Sequence, residues 1–337
     1  LAAPPRDRAD DEGEGPFEPP AGIDHPNWGQ HDPVGRDPLA DYLRTAIYPP
    51  QSRPLGPQNE DLLEPDKRHE DFVPSEDGAV EVRFTADRYF VTGGEPLTSY
   101  LEVRRDGRPV PVTITTAFAA VLVPGKTLDA STRIPLTFTD AGGLHTNVFA
   151  PGALPGLSSA VEMGVYIELD HGGAVRPRAS FLVHVTPTRA IPARFTGVFR
   201  DAIEDGSLVI RAGLDVHRAG YYLIDCNLYD ARDRPVAWTR FKGQLPAGRT
   251  EAPLLFFGKV LVDAGAEPPF HIGQLRGQLF TDGNDPDTES LPPFEGHHVT
   301  RAYALGDLSS AEWDSPEKQT MIRLLREEAE RSRGGAN

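Results

Sequence analysis

The chain reads as all-β: two immunoglobulin-like β-sandwiches in tandem, preceded by an extended Pro-rich arm and followed by a C-terminal α-helix. Three observations carry this. Runs with period-two alternation recur about every ten residues between 79 and 305, turn residues separate them, and helix-period patterns are confined to the two ends. The plainest run is Gly220 to Asp230, with Tyr222, Ile224, Cys226 and Leu228 on one face and Tyr221, Asp225, Asn227 and Asp230 mainly on the other. The charged turn Ala231-Arg-Asp-Arg234 and the run Pro235-Val-Ala-Trp-Thr-Arg-Phe241 follow. Together they predict a hairpin from an antiparallel sheet with one wet face.

The totals agree. A length of 337 residues suits two domains plus extensions. Its 33 glycines and 33 prolines, beside a hydrophobic fraction of 39%, imply much turn and extended backbone around the cores. The formal charge of −16 argues against nucleic acid or an anionic membrane surface as a partner, since both need clustered Lys and Arg. No apolar run approaches the roughly 20 residues of a membrane helix. Leu1-Ala2-Ala3 fits the end of a removed signal peptide or a truncated reading frame equally. A single cysteine permits no internal disulfide and fits the cytosol or a Gram-negative envelope; Cys226, on the apolar side of its strand, reads as a small core hydrophobe.

Residues 1–74 form the arm. They hold 14 of the 33 prolines and 16 acidic against 7 basic side chains, a composition that buries too little to fold alone. One short helix near 38–47 interrupts it: Asp37 caps, Pro38 starts, Leu39, Tyr42, Leu43 and Ile47 give the apolar stripe, and Pro49-Pro50 end it. With Trp28, Tyr42, Leu55, Leu62 and Leu63 as anchors, the arm either packs across the sandwiches or a partner, or stays a solvated linker.

The first sandwich is placed at 79–187. Val80, Val82 and Phe84 alternate with polar residues; Leu101 and Val103 precede the hairpin signal Asp106-Gly107; Val110, Val112 and Ile114 resume; Leu136–Phe138, Val165–Leu169 and Phe181–Val185 follow. A short, Pro-bounded connection, Thr186 to Pro192, limits swing into the second sandwich at 193–305. Its runs are Phe195–Phe199, Leu208–Ile210 after Asp205-Gly206, Leu214–Val216, the opening hairpin, Leu254–Phe257, Val260–Val262 and Gln274–Phe280. Ser315 as N-cap and Pro316 at the first position start the final helix over 315–333, whose stripe is Met321, Ile322, Leu324, Leu325 and Ala329. A helix of that length needs its stripe docked on the second sandwich or on another subunit.

Gly220-Tyr-Tyr, Leu228-Tyr-Asp230, Pro235-Val-Ala, Leu245, Gly248, Leu254-Leu-Phe-Phe-Gly258, Pro268-Pro-Phe and Thr300-Arg-Ala-Tyr303 resemble an immunoglobulin-like accessory module found near the C-termini of secreted and cell-envelope bacterial proteins. The resemblance covers about 193–305. It rests on turn glycines and core aromatics, and implies a non-catalytic module in the periplasm, at the cell surface or outside the cell.

Candidate chemistry is sparse. Asp282, Asn284, Asp285, Asp287 and Glu289 offer hard oxygens to Ca²⁺, although no Gly occupies the sixth position of an EF-hand loop and a solvated turn explains the run as well. Glu295, His297 and His298, with Asp282 or His271, invite a zinc reading, against which adjacent histidines on a strand face opposite ways. Gly125-Lys126-Thr127 looks like the end of a phosphate loop, but Ala120 stands where that motif needs Gly. Tyr221, Tyr229 and Trp238 form an aromatic platform for a glycan or a partner sheet wherever they face out; a central sandwich Trp is also often core. The expectation is a non-enzymatic structural or interaction protein without cofactor, bound to another protein or envelope component. The alternative is a carbohydrate- or calcium-binding module.

Overall fold

The computed structural model describes residues 37–65, 72–123, 133–283 and 285–334. Leu1 to Ala3, Trp28, Gly125 to Thr127 and Asn284 lie outside the described residues. The chain divides into a compact unit of residues 45–320 and a smaller unit that includes most of α1 (Pro38–Thr45) and the C-terminal turns of α4 (Pro316–Gly334). α1 starts as its sequence requires: Asp37 Oδ1 accepts the Leu39 N–H at 3.0 Å and the Ala40 N–H at 3.4 Å. Its stripe is narrower than the spacing implies, because Leu43 is exposed while Leu39 and Tyr42 are half-buried.

Between α1 and the first sandwich stand β1 (Ser52–Pro54) and α2 (Glu60–Leu63). The first sandwich then runs β2 (Val73–Pro74), β3 (Glu81–Ala86), β4 (Phe90–Thr92), β5 (Leu97–Arg105), β6 (Arg108–Pro109), β7 (Thr113–Val121), β8 (Ile134–Pro135), β9 (Thr139–Ala141), β10 (Leu144–Phe149), β11 (Val161–Asp170) and β12 (Arg178–Thr186). One sheet has the order β2-β3-β5-β10-β9, with β6 on β5; the other has β4-β12-β11-β7-β8, β4 lying parallel to β12. Alternation does what the pattern asks. Val82, Phe84, Leu97, Leu101 and Val103 from one sheet meet Met163, Val165, Ile167, Phe181 and Val183 from the other in a single core.

The second sandwich follows as β13 (Ala193–Glu204), β14 (Ser207–Val216), β15 (Gly220–Tyr229), β16 (Pro235–Leu245), β17 (Gly248–Phe256), α3 (Gly258–Asp263), β18 (His271–Phe280) and β19 (Thr288–Ser290). Its sheets have the orders β13-β14-β17 and β1-β16-β15-β18-β19. Tyr222, Ile224, Cys226 and Leu228 are all fully buried in its core, as the hairpin alternation requires. Both Asp-Gly signals are two-residue hairpin loops with both residues at positive φ, 50° and 73° at Asp106-Gly107 and 48° and 72° at Asp205-Gly206. At Gly206 space matters too: a Cβ would stand 2.6 Å from the Ser309 Cβ, where the C-terminal tail crosses the turn.

Several expectations are corrected. Val260-Leu-Val262 is helix, not strand. α3 crosses between β17 and β18, and burying Val260 and Leu261 in the core outweighs the strand preference of β-branched residues. Its entry also needs Gly258, whose Cβ would fall 2.0 Å from the Gly206 carbonyl oxygen. Leu136–Phe138 links β8 to β9 rather than forming a strand of its own: the Leu136 N–H still bonds to the Ala117 carbonyl, and Leu136 and Phe138 pack on the core. Asp230 is buried rather than wet: a bulge pairs Tyr229 with Pro235, and just past it the Asp230 carboxylate closes the turn. On α4, Ser315 Oγ accepts the Lys318 N–H at 3.1 Å. Ile322 is buried, Leu325 and Ala329 are half-buried, and Met321 and Leu324 face outward.

The arm, which the sequence leaves open between packing and a solvated linker, pairs with both sandwiches. β1 extends the second sandwich, pairing antiparallel with β16 as Ser52 to Thr239, Arg53 to Trp238 and Pro54 to Ala237. β2 extends the first sandwich by pairing with β3. Pro54 is tolerated because β1 is an edge strand.

Candidate functional site

The outer face of the hairpin sheet is where the predicted site residues and the arm meet. Pairing puts Asp225 and Asn227 of β15 beside Arg240 and Trp238 of β16 on that face. β1 lengthens that sheet beyond β16, and the segment after it reaches back onto the face at Leu62. The Leu55 N–H donates to the Val236 carbonyl at 3.2 Å, the Arg240 N–H to the Gln51 carbonyl at 2.8 Å, and Asn227 Nδ2 to the Leu62 carbonyl at 2.7 Å. Tyr48 adds a hydroxyl bond to Asp263 at 2.8 Å; burial and that carboxylate push its pKa up to about 12. Of the proposed anchors, Leu55 is 4% exposed, Leu62 and Leu63 are half-buried, and Tyr42 is half-buried on α1.

Two of the three platform aromatics are not open to a ligand, Trp238 through the arm and Tyr229 through β18. Trp238 is 6% exposed, with the Arg53 guanidinium 4.7 Å and the Arg240 guanidinium 5.0 Å from its ring centroid. It lies outside the apolar core, on the opposite face of its sheet from Ala237. Tyr229 is half-buried, stacks on His271 and donates its hydroxyl to Gln274 Oε1 at 2.7 Å. Only Tyr221 faces out, 40% exposed and 6.1 Å from the half-exposed ring of Phe280. Tyr221→Ala is expected to cost under about 1 kcal/mol by denaturant titration, and Tyr229→Ala clearly more.

The acidic run does not gather around one point. Asp282, Asp285 and Asp287 are exposed along the loop, whereas Glu289 is buried and ion-paired with Arg218. Among the described residues no group of three or more His, Cys, Asp or Glu side chains is placed to hold a metal. Titrating Ca²⁺ is expected to leave the melting temperature unmoved. The histidines diverge, although they lie outside any strand: His297 neighbours His271, ring centroids 5.4 Å apart, while His298 Nε2 lies 3.4 Å from Asp201 Oδ1. Cys226 is buried and its thiol pKa is raised, first by desolvation.

The structure adds a site at the joint between the sandwiches. Ala190 and Ile191 of the connection are buried, and the Ser290 N–H donates to Thr186 Oγ1 at 2.9 Å. Beside this bond lies a cleft of about 230 Å³. Phe90, Leu223, Leu291 and Pro293 give it an apolar side; Arg88, Arg240 and Arg276 give it cationic groups. Asp225 holds Arg240 with two bonds of 2.5 and 2.7 Å, raising its pKa, and Glu95 Oε2 accepts the Thr92 N–H at 3.0 Å. Three arginines against two carboxylates leave the described lining positive in a chain of net −16. Thr92 and Ser290 are buried at its edge, their hydroxyl oxygens without a hydrogen-bond partner among the described residues.

His184 stands at the same joint, buried, its Nε2 3.4 Å from Thr186 Oγ1. Burial pulls its pKa down to about 4 against the opposing pull of Asp287 and the Thr288 backbone. The folded value lies below the unfolded one, so its contribution is complete above about pH 6.5 and is lost as pH falls toward 4. His184→Gln is expected to flatten the melting-temperature profile over that window.

No protein-family model matches the chain. None of the curated proteins matches it in sequence. Similar solved structures include a DUF4785 family protein from Legionella pneumophila, at 12% identity and a TM-score of 0.43 over 65% of this chain and 57% of that one. A DUF4426 family protein from Pseudomonas aeruginosa is similar at 17% identity and 0.24, over 36% and 98%. The FN1-FN3 domains of chicken CNTN1 are similar at 14% identity and 0.23, over 65% and 66%. The chain thus spans a little over half the length of the Legionella protein.

The cleft residues escape sequence reading because strand pairing and the domain joint bring together positions from 65 to 293. Asp225 and Arg240 alone carried a signal, as opposite charges at paired positions of one hairpin.

Proposed function

We propose that this chain is a non-enzymatic structural and interaction module, working outside the cytoplasm, in which two β-sandwiches are held at a fixed mutual angle to engage another protein or an envelope component. The observation that carries this reading is the arm. It extends the second sandwich through β1 and the first through β2, while Ser290 and Thr186 bond across the joint. A chain that commits backbone pairing from one leader to both sandwiches is built to fix geometry. The location rests on the resemblance of residues 193–305 to modules of secreted and envelope proteins.

Spin labels at Val148→Cys and Val198→Cys, both exposed and one on each sandwich, test the fixed geometry; the buried Cys226 stays unlabelled. One narrow distance distribution is expected, and a broad one would remove the reading. Fractionating the producing cells tests the location, which fails if the protein travels with cytoplasmic markers. A carbohydrate reading keeps one specific support, the neighbouring rings of Tyr221 and Phe280; glycan-array binding lost in Tyr221→Ala would favour it.

A further inference from the structure

We propose that the cleft between the sandwiches binds a small acid with an apolar body, its carboxylate on Arg88 and its body against Phe90, Leu223 and Leu291. Arg240 is committed to Asp225 through two short bonds. Arg88 is not committed in this way. Its guanidinium stands 3.6 Å from Asp87 and 3.7 Å from Glu95, longer than hydrogen bonds, and its Nε is buried without a partner among the described residues. A carboxylate is the group that a guanidinium fork matches with two parallel bonds.

The hydroxyls point to the same ligand. Thr92 and Ser290 are each 3% exposed, both line the cleft, and neither hydroxyl oxygen has a partner among the described residues. Buried hydroxyls are nearly always bonded, and both oxygens are covered in the cleft, so a side-chain rotation toward a ligand acceptor would complete them. Size fits as well: an apolar cavity of about 150 Å³ admits benzene, and this cleft of about 230 Å³ has room for a ring or branched alkyl group with its acid. Two sources carry that chemistry, a free carboxylic acid and the C-terminus of a peptide ending in an apolar residue. The inference goes beyond the interaction role above, because a rigid joint with an empty cleft would still serve that role.

Isothermal titration calorimetry on the full chain tests it, with N-acetylphenylalanine, a tetra-alanyl-phenylalanine peptide, and the C-terminal amide of each. One-to-one binding of an acid is expected, with its amide weaker by about tenfold or more. Preference for N-acetylphenylalanine marks a free acid as the source, and preference for the peptide marks a chain end. Arg88→Gln is expected to weaken the acid by a similar factor. Thr92→Val, which removes a hydroxyl without removing a charge, is expected to weaken it several-fold and serves where Arg88→Gln does not fold. Equal binding of acid and amide, no binding of either acid at about 10 mM, or full affinity in both variants would overturn the proposal.

Discussion

Replacing Trp238 by Ala is expected to cost about 3–5 kcal/mol and to lower the melting temperature of the full chain by roughly 10 °C. The indole is 6% exposed although it sits on the outer face of its sheet, because β1 pairs alongside it and Arg53 and Arg240 lie over its ring. Truncation therefore loses a full aromatic burial and opens a hole beneath the leader. Leu55, whose own burial depends on the same pairing, should loosen with it. Trp238→Phe, which keeps an aromatic face for the guanidinium groups, should recover much of the loss. Thermal unfolding followed by circular dichroism reads both, and an unchanged midpoint in Trp238→Ala would place the indole in water.

Asp230→Ala is expected to cost about 2–4 kcal/mol. Asp230 is fully buried, and its carboxylate accepts the Arg232 N–H at 2.9 Å, the Arg234 N–H at 3.0 Å and the Arg234 Nε at 2.9 Å. Burial alone would raise its pKa, but these donors outweigh it and hold the carboxyl below the usual range. Removing the acid leaves two turn amides and the Arg234 Nε–H without their acceptor, while Arg234 Nη2 keeps the Gly265 carbonyl. Asp230→Asn keeps an acceptor oxygen and should lose less. The sign of the pH dependence follows: a depressed folded pKa contributes stability that is complete above the unfolded value near 4 and is lost as pH falls through the folded value. Denaturant titrations at pH 7 and below pH 4 should thus show the penalty of Asp230→Ala shrinking in acid.

How much of this was legible varies with the physics of each segment. Tyr222, Ile224, Cys226 and Leu228 sit where alternation puts them, since a period of two allows no other way to bury one face. Asp106-Gly107 and Asp205-Gly206 were equally plain, because few residues accept positive φ at both loop positions. α3 was not legible in this way, because Val260-Leu-Val262, with two β-branched residues of three, is helical where tertiary burial decides. The same reasoning left the arm undecided because Ser52-Arg-Pro54 attaches through main-chain pairing, which leaves no side-chain period to read. Asn227 consequently looked like part of a wet face, and Trp238 was open between core and platform. The cleft was invisible for another reason: Arg88 comes beside Arg240 and Arg276 only once two sandwiches are joined.

Residues 52–65 are part of the second sandwich through β1, and native-state hydrogen exchange tests that at single amides. The Leu55 N–H, bonded to the Val236 carbonyl, and the Arg240 N–H, bonded to the Gln51 carbonyl, exist as protected groups only if β1 is paired. Both should exchange on the timescale of the β15–β16 hairpin amides; exchange of both at the rate of an open chain, while the hairpin stays protected, would contradict the account.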